Sequence, residues 1–381
     1  MSTQTANAPL GDAPPPSVTA GHVTALRLFD IAFEIDLKLA ETLSRAAASS
    51  GARRKLTATP PQAVTFDDPP FGLVLPPRHI DIDGHTHTAH VTARLYAFGV
   101  VTLAIKIDAD RIAWDAYARL VNAIQAAIGP GSLTAIWDEI LAALTATIKP
   151  ALLRPNNSSL VEDYLIATVH GFDRPVLGAM IGRVIDLVPL LSGESRALSE
   201  SARGDLLSRR FSYYADDLVV LTWDRAFIFE PRHDTDVADV IEVANAQFLE
   251  LRYYDELLDD ELPRMYDLVE ATRRLRAGPQ RFSKLARNLY AIVAEVTELT
   301  EKVDNALQVT EDVYLARVYA AALEQFRVKP MSAAVDRKLS IIRDTYMALY
   351  NEAAGARAGL MELAVIVLIL VEVVLAIFRW H

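Results

Sequence analysis

The densest group of potential metal ligands in the sequence is a histidine-rich run, HIDIDGHTHTAH, at positions 79–90. His85 and His87 are two positions apart, so on a strand they would share one face and could chelate a transition metal. The Asp83-Gly84 pair ahead of them predicts a tight hairpin turn. Since no distant histidine or carboxylate with ligand spacing points to the pair, an exposed polar hairpin is the competing interpretation. No other metal ligand and no cofactor is predicted.

A second candidate is a pair of adjacent carboxylates, Asp216 and Asp217, in the run YYADDLVVLTW at 213–223. Paired carboxylates can act as acid and base or bind a hard cation. Neighbouring residues of a strand face opposite sides, however, so a turn followed by a strand start is the competing interpretation. Combined with His85 and His87, the aspartates would form a metal-dependent hydrolase, which is an alternative function for the chain.

The third candidate is a dense polar run on a helix, NAQFLELRYYDELLD at 245–259. An interaction surface, or an internal polar lock between the helical and mixed parts, fits it better than a catalytic site, and a plain solvated face is the alternative. The next helix supplies suitable partners in Glu301, Asp304, Asn305 and Arg317. The predicted interaction residues are Asn245, Gln247, Glu250, Arg252, Tyr253, Tyr254 and Asp255.

Composition and missing motifs exclude several function classes. The chain contains no cysteine, which removes thiol nucleophiles and Cys-ligated zinc. Its net charge of −11 argues against a protein that wraps nucleic acid, since phosphate contacts need clustered Lys and Arg. Neither a phosphate-binding glycine loop nor a serine elbow occurs. The sequence therefore predicts a protein that is not an enzyme.

The elements that would position these residues divide the chain into four parts. Residues 1–21 are rich in Pro, Ala and Thr and predict a disordered lead-in. Residues 22–231 interleave strand and helix patterns and predict a mixed α/β domain. Predicted strands are 24–37, a hairpin after residue 79, 159–172, and a hairpin of 218–221 with 226–229; predicted helices are 111–128, 133–148, 176–191 and 195–205.

Residues 232–359 predict only helix. Pro263 would kink or divide the first helix. From Leu285 to Val313 apolar residues recur at spacings of four and three, and Pro330 would end that second helix. Another heptad stripe starts at Val335 and predicts one continuous helix from about residue 332 to the end. The pattern indicates a long antiparallel, coiled-coil-like helical hairpin, so the overall fold class is α+β.

Residues 360–378 hold fourteen Leu, Ile, Val or Phe residues and two charges, Glu362 and Glu372. Nineteen helical residues span about 28 Å, close to the hydrocarbon thickness of a bilayer. This run predicts a single C-terminal transmembrane helix, with a buried soluble-core helix as the alternative. Glu372 would then be an intramembrane acid, either tolerated in a protonated form or lining an ion path in an oligomer.

Basic residues set the predicted orientation of this anchor. Arg337, Lys338, Arg343 and Arg357 precede the apolar run, and Arg379 alone lies beyond it. Because positive charges favour the cytoplasmic side, the bulk of the chain should stay in the cytoplasm. The N-terminus also has no basic and apolar segments typical of a cleaved signal peptide. The predicted localisation is a single-pass membrane protein.

Several runs together resemble the "required for meiotic nuclear division" family, also called the Sad1-interacting-factor or YagE-like family. They are YADDLVVLTW at 214–223, VADVIEVANAQFLELRYYD at 237–255, LTEKVDNALQVTEDVYLARVYAAALEQF at 299–326, VDRKLSIIRDTY at 335–346, and the apolar end with Glu362 and Glu372. The resemblance covers about residues 94–378 and is loose before residue 96. It implies a single-pass membrane protein of unknown activity, with eukaryotic relatives implicated in supporting mitochondrial translation. It supplies no catalytic residues.

These observations favour a tail-anchored membrane scaffold that works through a protein partner or a second copy of the chain. The bilayer is the other expected partner, and no direct contact with nucleic acid is expected. A metal-dependent hydrolase and an oligomeric ion-path subunit using Glu372 remain as alternatives.

Overall fold

The computed structural model describes residues 14–47, 50–53, 64–65, 69–156, 158–234, 236–274, 287, 290–291, 293–294, 297, 308–309 and 312–379. Contacts divide the chain into two compact units. Unit 1 is Met1–Glu250 with Val303–Lys329, and unit 2 is Leu251–Lys302 with Pro330–His381. The predicted boundaries after residues 231 and 359 do not coincide with the boundaries of these units. The predicted division of the chain into four parts stays a prediction.

Unit 1 is built on one large β-sheet. Its strands run in the order β11-β12-β13-β10-β1-β7-β6-β5-β3, with β8 also paired to β1. β10 and β13 pair in parallel and the other neighbours are antiparallel. β2 pairs with β9, and β4 pairs with β14. The strands are β1 (Ser17–Asp30), β2 (Ala32–Ile35), β3 (Ser50–Arg53), β4 (Val64–Thr65), β5 (Phe71–Ile82), β6 (His85–Leu95), β7 (Val100–Asp108), β8 (Ile112–Ala113), β9 (Leu152–Pro155), β10 (Val161–Phe172), β11 (Arg210–Phe211), β12 (Leu218–Leu221), β13 (Arg225–Phe229) and β14 (Gln308–Val309).

The helices of the described chain lie between and after these strands. They are α1 (Leu37–Ala46), α2 (Trp114–Ile128), α3 (Ile136–Ile148), α4 (Ile181–Val184), α5 (Val188–Ser192), α6 (Glu200–Leu206), α7 (Asp236–Arg274), α8 (Val313–Gln325) and α9 (Val328–Arg379), with single 3-10 turns at Lys149–Ala151 and Gly178–Met180. A large sheet with several helices confirms the α+β class.

The core of unit 1 lies under α2 and α3. The ring of Tyr117 is fully buried, and its single hydroxyl proton is shared between the carbonyls of His22 on β1 at 3.0 Å and Thr168 on β10 at 3.1 Å. The indole of Trp137 is buried as well and donates to the carbonyl of Ile128 at 2.7 Å. Each large ring therefore brings its polar atom to a backbone acceptor, as burial of such a group requires.

Two predicted hairpins are confirmed. β5 and β6 pair antiparallel around Asp83 and Gly84, whose φ angles are +49° and +74°. Positive φ at both central residues is the geometry for which an Asp-Gly turn is suited. β12 and β13 form the second hairpin.

The structure corrects several predicted boundaries. β1 begins at Ser17, so residues 17–21 are strand and the predicted lead-in over 1–21 is too long. The helix predicted over 176–191 is divided, because the chain is extended at Ile185 before α5 starts. Pro189 sits in the first turn of α5, where its missing N–H costs no helical hydrogen bond.

In the helical part, α7 continues through Pro263 and is not divided there. The heptad residues from Leu285 to Thr310 lie outside the described residues, so the hairpin that they predict stays a prediction. Asp312 caps α8, accepting from the backbone N–H groups of residues 314 and 315. Pro330 lies in the first turn of α9, which corrects the expectation that it ends the preceding helix.

α9 is one continuous helix, as the heptad stripe predicts. Val335 and Ile342 on that stripe are buried. Within the part of the chain whose side chains are described, no helix combines the length and apolar character needed to cross a bilayer. The transmembrane helix predicted over 360–378 therefore stays a prediction.

Candidate functional site: an acidic pocket lined by tyrosines

A small pocket of about 60 Å³ opens in unit 1 beside β12 and β13, between the starts of α7 and α8. It combines aromatic rings with carboxylates and one arginine. The side chains that define it are Tyr213, Tyr214, Tyr314, Asp217, Glu230, Asp234, Asp236, Asp312 and Arg232. We call this the tyrosine pocket.

The turn before β12 holds one wall of the tyrosine pocket in place. The carboxylate of Asp217 accepts from the backbone N–H groups of Tyr213 at 2.8 Å and Tyr214 at 3.0 Å. Its side chain is buried, whereas Asp216 is exposed. The two adjacent aspartates therefore do not act as a pair, and Asp217 takes the role of the predicted turn residue that starts the strand.

Arg232 already places a cation in this pocket. Its guanidinium lies 3.5 Å from the centre of the Tyr214 ring and forms an ion pair with Glu230 at 3.2 Å. A carboxylate oxygen of Asp217 lies 3.6 Å away. The side chain of Arg232 remains 43% exposed, so the arrangement is open to solvent on one side. Ring face and carboxylates together thus accommodate a guanidinium.

The opposite wall comes from the start of α8. The Tyr314 ring lies 5.3 Å from the Tyr213 ring. Burial raises the pKa of the Tyr314 hydroxyl, and the negative charges of Asp217 and Glu230 add to that shift. Tyr314 is therefore neutral at physiological pH and presents a hydrogen-bonding hydroxyl and an aromatic face.

This chemistry suits a cationic group more than a metal ion. Aromatic faces and carboxylates attract ammonium and guanidinium groups. Among the described residues, no group of three or more His, Asp or Glu side chains has an arrangement that could hold a metal.

The predicted metal-site histidines lie elsewhere. His85 is exposed, with its Nδ1 3.1 Å from the carbonyl of Asp83, and His87 is half-buried on the same strand. Between β6 and β12 the sheet places β7, β1, β10 and β13, a separation of about 24 Å at the usual strand spacing. The structure does not bring His85 and His87 together with Asp216 or Asp217, so the combined hydrolase site is not formed.

The predicted interaction run is divided between the two units. In unit 1, Asn245 and Glu250 are buried. The Asn245 amide donates to the carbonyl of Ile241, and Gln247 accepts from the Tyr319 hydroxyl at 2.8 Å. The first contact lies within α7 and the second joins α7 to α8, so neither links the run to the mixed α/β part, and the internal lock stays a prediction.

In unit 2, Tyr254 is fully buried, and Arg252 and Tyr253 are half-buried. Lys338 of α9 forms ion pairs with Asp255 at 2.6 Å and Asp259 at 2.7 Å. Among the expected partner residues, Arg317 is exposed on α8, and Glu301, Asp304 and Asn305 lie outside the described residues. Partner binding by this run stays a prediction.

Unit 1 also contains a buried ionic cluster that the sequence patterns do not predict. Arg94 on β6 pairs with Asp239 at 2.6 Å and Glu242 at 2.8 Å, both on α7. Tyr96 donates to Glu242 at 2.9 Å. Burial raises the pKa of Glu242, and Arg94 partly offsets that effect. The sequence feature that indicates such a cluster is the pair of acids Asp239 and Glu242, three positions apart on the apolar face of α7.

The fold and these sites define an α+β protein in which a large, mostly antiparallel sheet carries an acidic aromatic pocket at one end. The chain belongs to the family described as "Uncharacterized protein MJ0711, N-terminal domain", whose model matches residues 20–235. It is 26% identical over 194 residues to "Uncharacterized protein MJ0711" of Methanocaldococcus jannaschii. That match covers 51% of this chain and 59% of the relative. No solved structure matches. The resemblance to the meiotic nuclear division family is not confirmed by these comparisons.

Proposed function

We propose that this protein is a membrane-tethered scaffold. The apolar end of α9 would insert in lipid, and unit 1 would recruit a protein partner through the tyrosine pocket. The bulk of the chain would stay in the cytoplasm, since the exposed residues Arg337 and Arg343 precede the apolar run.

One observation carries the proposal. All described side chains at 361–375 are exposed, although nearly all of them are large and apolar. Leu368 is 64% exposed and Val374 46%. A soluble protein rarely exposes so much contiguous apolar surface on every side of a helix, and a covering of lipid would remove it from water. The sequence continues this run to residue 378, which gives about 28 Å of helix.

The tyrosine pocket supports the recruiting role. Tyr213 is 60% exposed and Tyr214 45%. Exposed tyrosines next to carboxylates are a composition typical of contact surfaces that anchor a basic side chain. Because much of the run at 245–255 is buried, the pocket is the better candidate for the partner contact.

Membrane attachment is tested by fractionating cells and extracting the membranes at alkaline pH. The full chain should stay in the membrane pellet. Val367→Arg with Leu370→Arg should move it to the supernatant, since each arginine costs about 3 kcal/mol in mid-bilayer. Ile341→Arg with Met347→Arg, at two exposed apolar residues of α9 outside the run, is the matched control and should stay in the pellet. Extraction of the unmodified chain into the supernatant would contradict the proposal.

Partner recruitment is tested by crosslinking in native membranes followed by mass spectrometry. Tyr213→Ala with Tyr214→Ala should remove a specific crosslinked partner. Tyr266→Ala with Tyr290→Ala, at exposed tyrosines outside the pocket, should keep it. A different result would assign the contact to the run at 245–255 instead. In that case Arg252→Ala with Tyr253→Ala loses the partner, and the pocket variant keeps it.

The ion-path alternative and the meiotic-division resemblance remain compatible with a tether. If anchors assemble around Glu372, Glu372→Leu should change ion flux through reconstituted vesicles. An effect on insertion alone favours the plain anchor.

A further inference from the structure

Unit 1 also contains a cleft of about 700 Å³ that the proposed function does not use. One wall is a single face of α2, formed by Asp115, Ala118, Arg119 and Asn122 at helical spacings of three and four. The other wall includes Arg183 of α4, Asp186 and Arg203 of α6. We call this the arginine cleft. Its volume lies in the usual range of small-molecule sites.

The walls of the arginine cleft are held by hydrogen bonds and an ion pair. Trp114, buried at the base, donates from its indole to the carbonyl of Asp186 at 3.2 Å. The Asn122 amide donates to the carbonyl of Pro189 at 3.1 Å. Arg203 forms two hydrogen bonds to the Asp186 carboxylate, at 3.1 and 3.3 Å. These contacts join α2, α5 and α6, so the cleft is a preformed cavity.

The lining of the cleft carries three arginines and two aspartates, Asp115 and Asp186, so its net charge is positive. Arg203 is neutralised by Asp186. Arg119 and Arg183 are both exposed and have no carboxylate within 4.0 Å among the described residues. A third guanidinium stands nearby, since Arg210 lies 3.2 Å from the position that a side chain on Gly182 would occupy. This concentration of arginine contrasts with the net charge of −11 of the whole chain.

We propose that the arginine cleft binds a small organic phosphate, with Arg119 and Arg183 contacting the phosphate oxygens. Two guanidinium groups match the nearly double negative charge of a phosphate monoester better than the single charge of a monocarboxylate. The apolar side chains of Ala118, Val184 and Ile185 would contact the organic part of the ligand. Arginine also binds phosphate through two parallel hydrogen bonds, which fixes its orientation.

The test is calorimetric titration of the purified full chain with inorganic pyrophosphate and, separately, with citrate. Pyrophosphate should bind and citrate should bind more weakly. Arg119→Gln with Arg183→Gln should raise the Kd for pyrophosphate about a hundredfold or more, since each substitution removes a charged hydrogen bond worth about tenfold in Kd. Arg337→Gln with Arg343→Gln removes the same charge from two exposed arginines outside the cleft and should leave the Kd unchanged.

A second variant distinguishes a loss of binding from a loss of folding. Arg183→Lys keeps the charge and should weaken binding less than Arg183→Gln does, with the unfolding temperature unchanged in both. Three results would each overturn the assignment. They are no binding of pyrophosphate, equal Kd values for the double variant and the unmodified chain, and tighter binding of citrate than of pyrophosphate.

Discussion

Arg94 and Asp239 lie 145 positions apart in the sequence, yet their side chains form a buried ion pair of 2.6 Å. The pair joins β6, the third strand from one edge of the sheet, to the first turns of α7. Glu242 adds a second carboxylate to the same guanidinium. All three side chains are nearly inaccessible to water, so each charge depends on the others for compensation.

Removing the arginine should therefore destabilise unit 1 strongly. Arg94→Met leaves two buried carboxylates without their cation, and the free energy of unfolding should fall by about 3–5 kcal/mol. Urea unfolding monitored by circular dichroism measures the change. Arg196→Met, at an exposed arginine, is the control and should change stability by less than about 0.5 kcal/mol.

Neutralising the acids should repair part of the loss. Adding Asp239→Asn and Glu242→Gln to Arg94→Met removes both uncompensated charges, so stability should partly recover. A loss of less than about 1 kcal/mol for Arg94→Met alone would show that the cluster is not a major support of the fold.

Asp30 should make the protein less stable as the pH rises. Burial raises the pKa of its carboxyl to about 7, although the Asn156 amide donates to it. The folded state thus holds the proton more tightly than the unfolded state, whose pKa is near 4. The stability that this proton contributes is complete below pH 4 and is lost as the pH rises towards 7.

Replacing Asp30 should remove that pH dependence. At pH 8, Asp30→Asn should be more stable than the unmodified chain. In the unmodified chain the free energy of unfolding should fall by up to about 4 kcal/mol between pH 4 and 7, and Asp30→Asn should lack this fall. Urea unfolding at a series of pH values gives the comparison. Asp173→Asn, at an exposed aspartate, should keep the original profile, and an unchanged profile for Asp30→Asn would contradict the assignment.

His22 should make the protein less stable as the pH falls. Burial, with the nearby Lys106 and His170 adding to its effect, lowers the pKa of His22 to about 3. The unfolded state takes up a proton near pH 6.5 and the folded state does not, so stability falls as the pH drops from 6.5 towards 3. His22→Gln should be less sensitive to acid in that range. His79→Gln, at an exposed histidine, provides the control in the same unfolding series.

Gly178 should be indispensable for the tyrosine pocket. A Cβ at this position would lie 1.9 Å from the backbone oxygen of Asp217. Gly178→Ala must therefore displace the turn that carries Tyr213 and Tyr214. Crosslinking of a partner should be lost together with some stability. Gly204→Ala, at a glycine with open space around it, should preserve both, and normal crosslinking by Gly178→Ala would contradict this account.

Local chemistry made much of the fold predictable. The Asp83-Gly84 hairpin, the β12–β13 hairpin, α2 and α3 follow from turn residues and apolar periodicity within short stretches. The division of residues 176–191 was not predictable from periodicity, because the apolar residues there continue across the break at Ile185. There the packing of the segment overrides its pattern.

The sites depend on long-range contacts, so local sequence patterns predict only part of them. The sequence singles out Asp217 as a candidate, but the opposite wall of the pocket, with Asp312 and Tyr314, comes from the start of α8, far along the chain. The pattern of seven polar residues at 245–255 predicts an exposed surface, whereas Asn245, Glu250 and Tyr254 are buried by the folded unit around each of them. Which face of a helix is covered is set by tertiary packing that a single sequence does not encode locally.

The most direct test of the membrane tether uses the absence of cysteine from the chain. A single cysteine introduced as Leu368→Cys, or separately as Met347→Cys, can be labelled with an environment-sensitive fluorophore and followed in lipid vesicles. The account predicts blue-shifted emission at position 368 that is strongly quenched by lipids carrying quenchers in their acyl chains, with little quenching at position 347. Equal and weak quenching at both positions would contradict insertion of the α9 end in lipid.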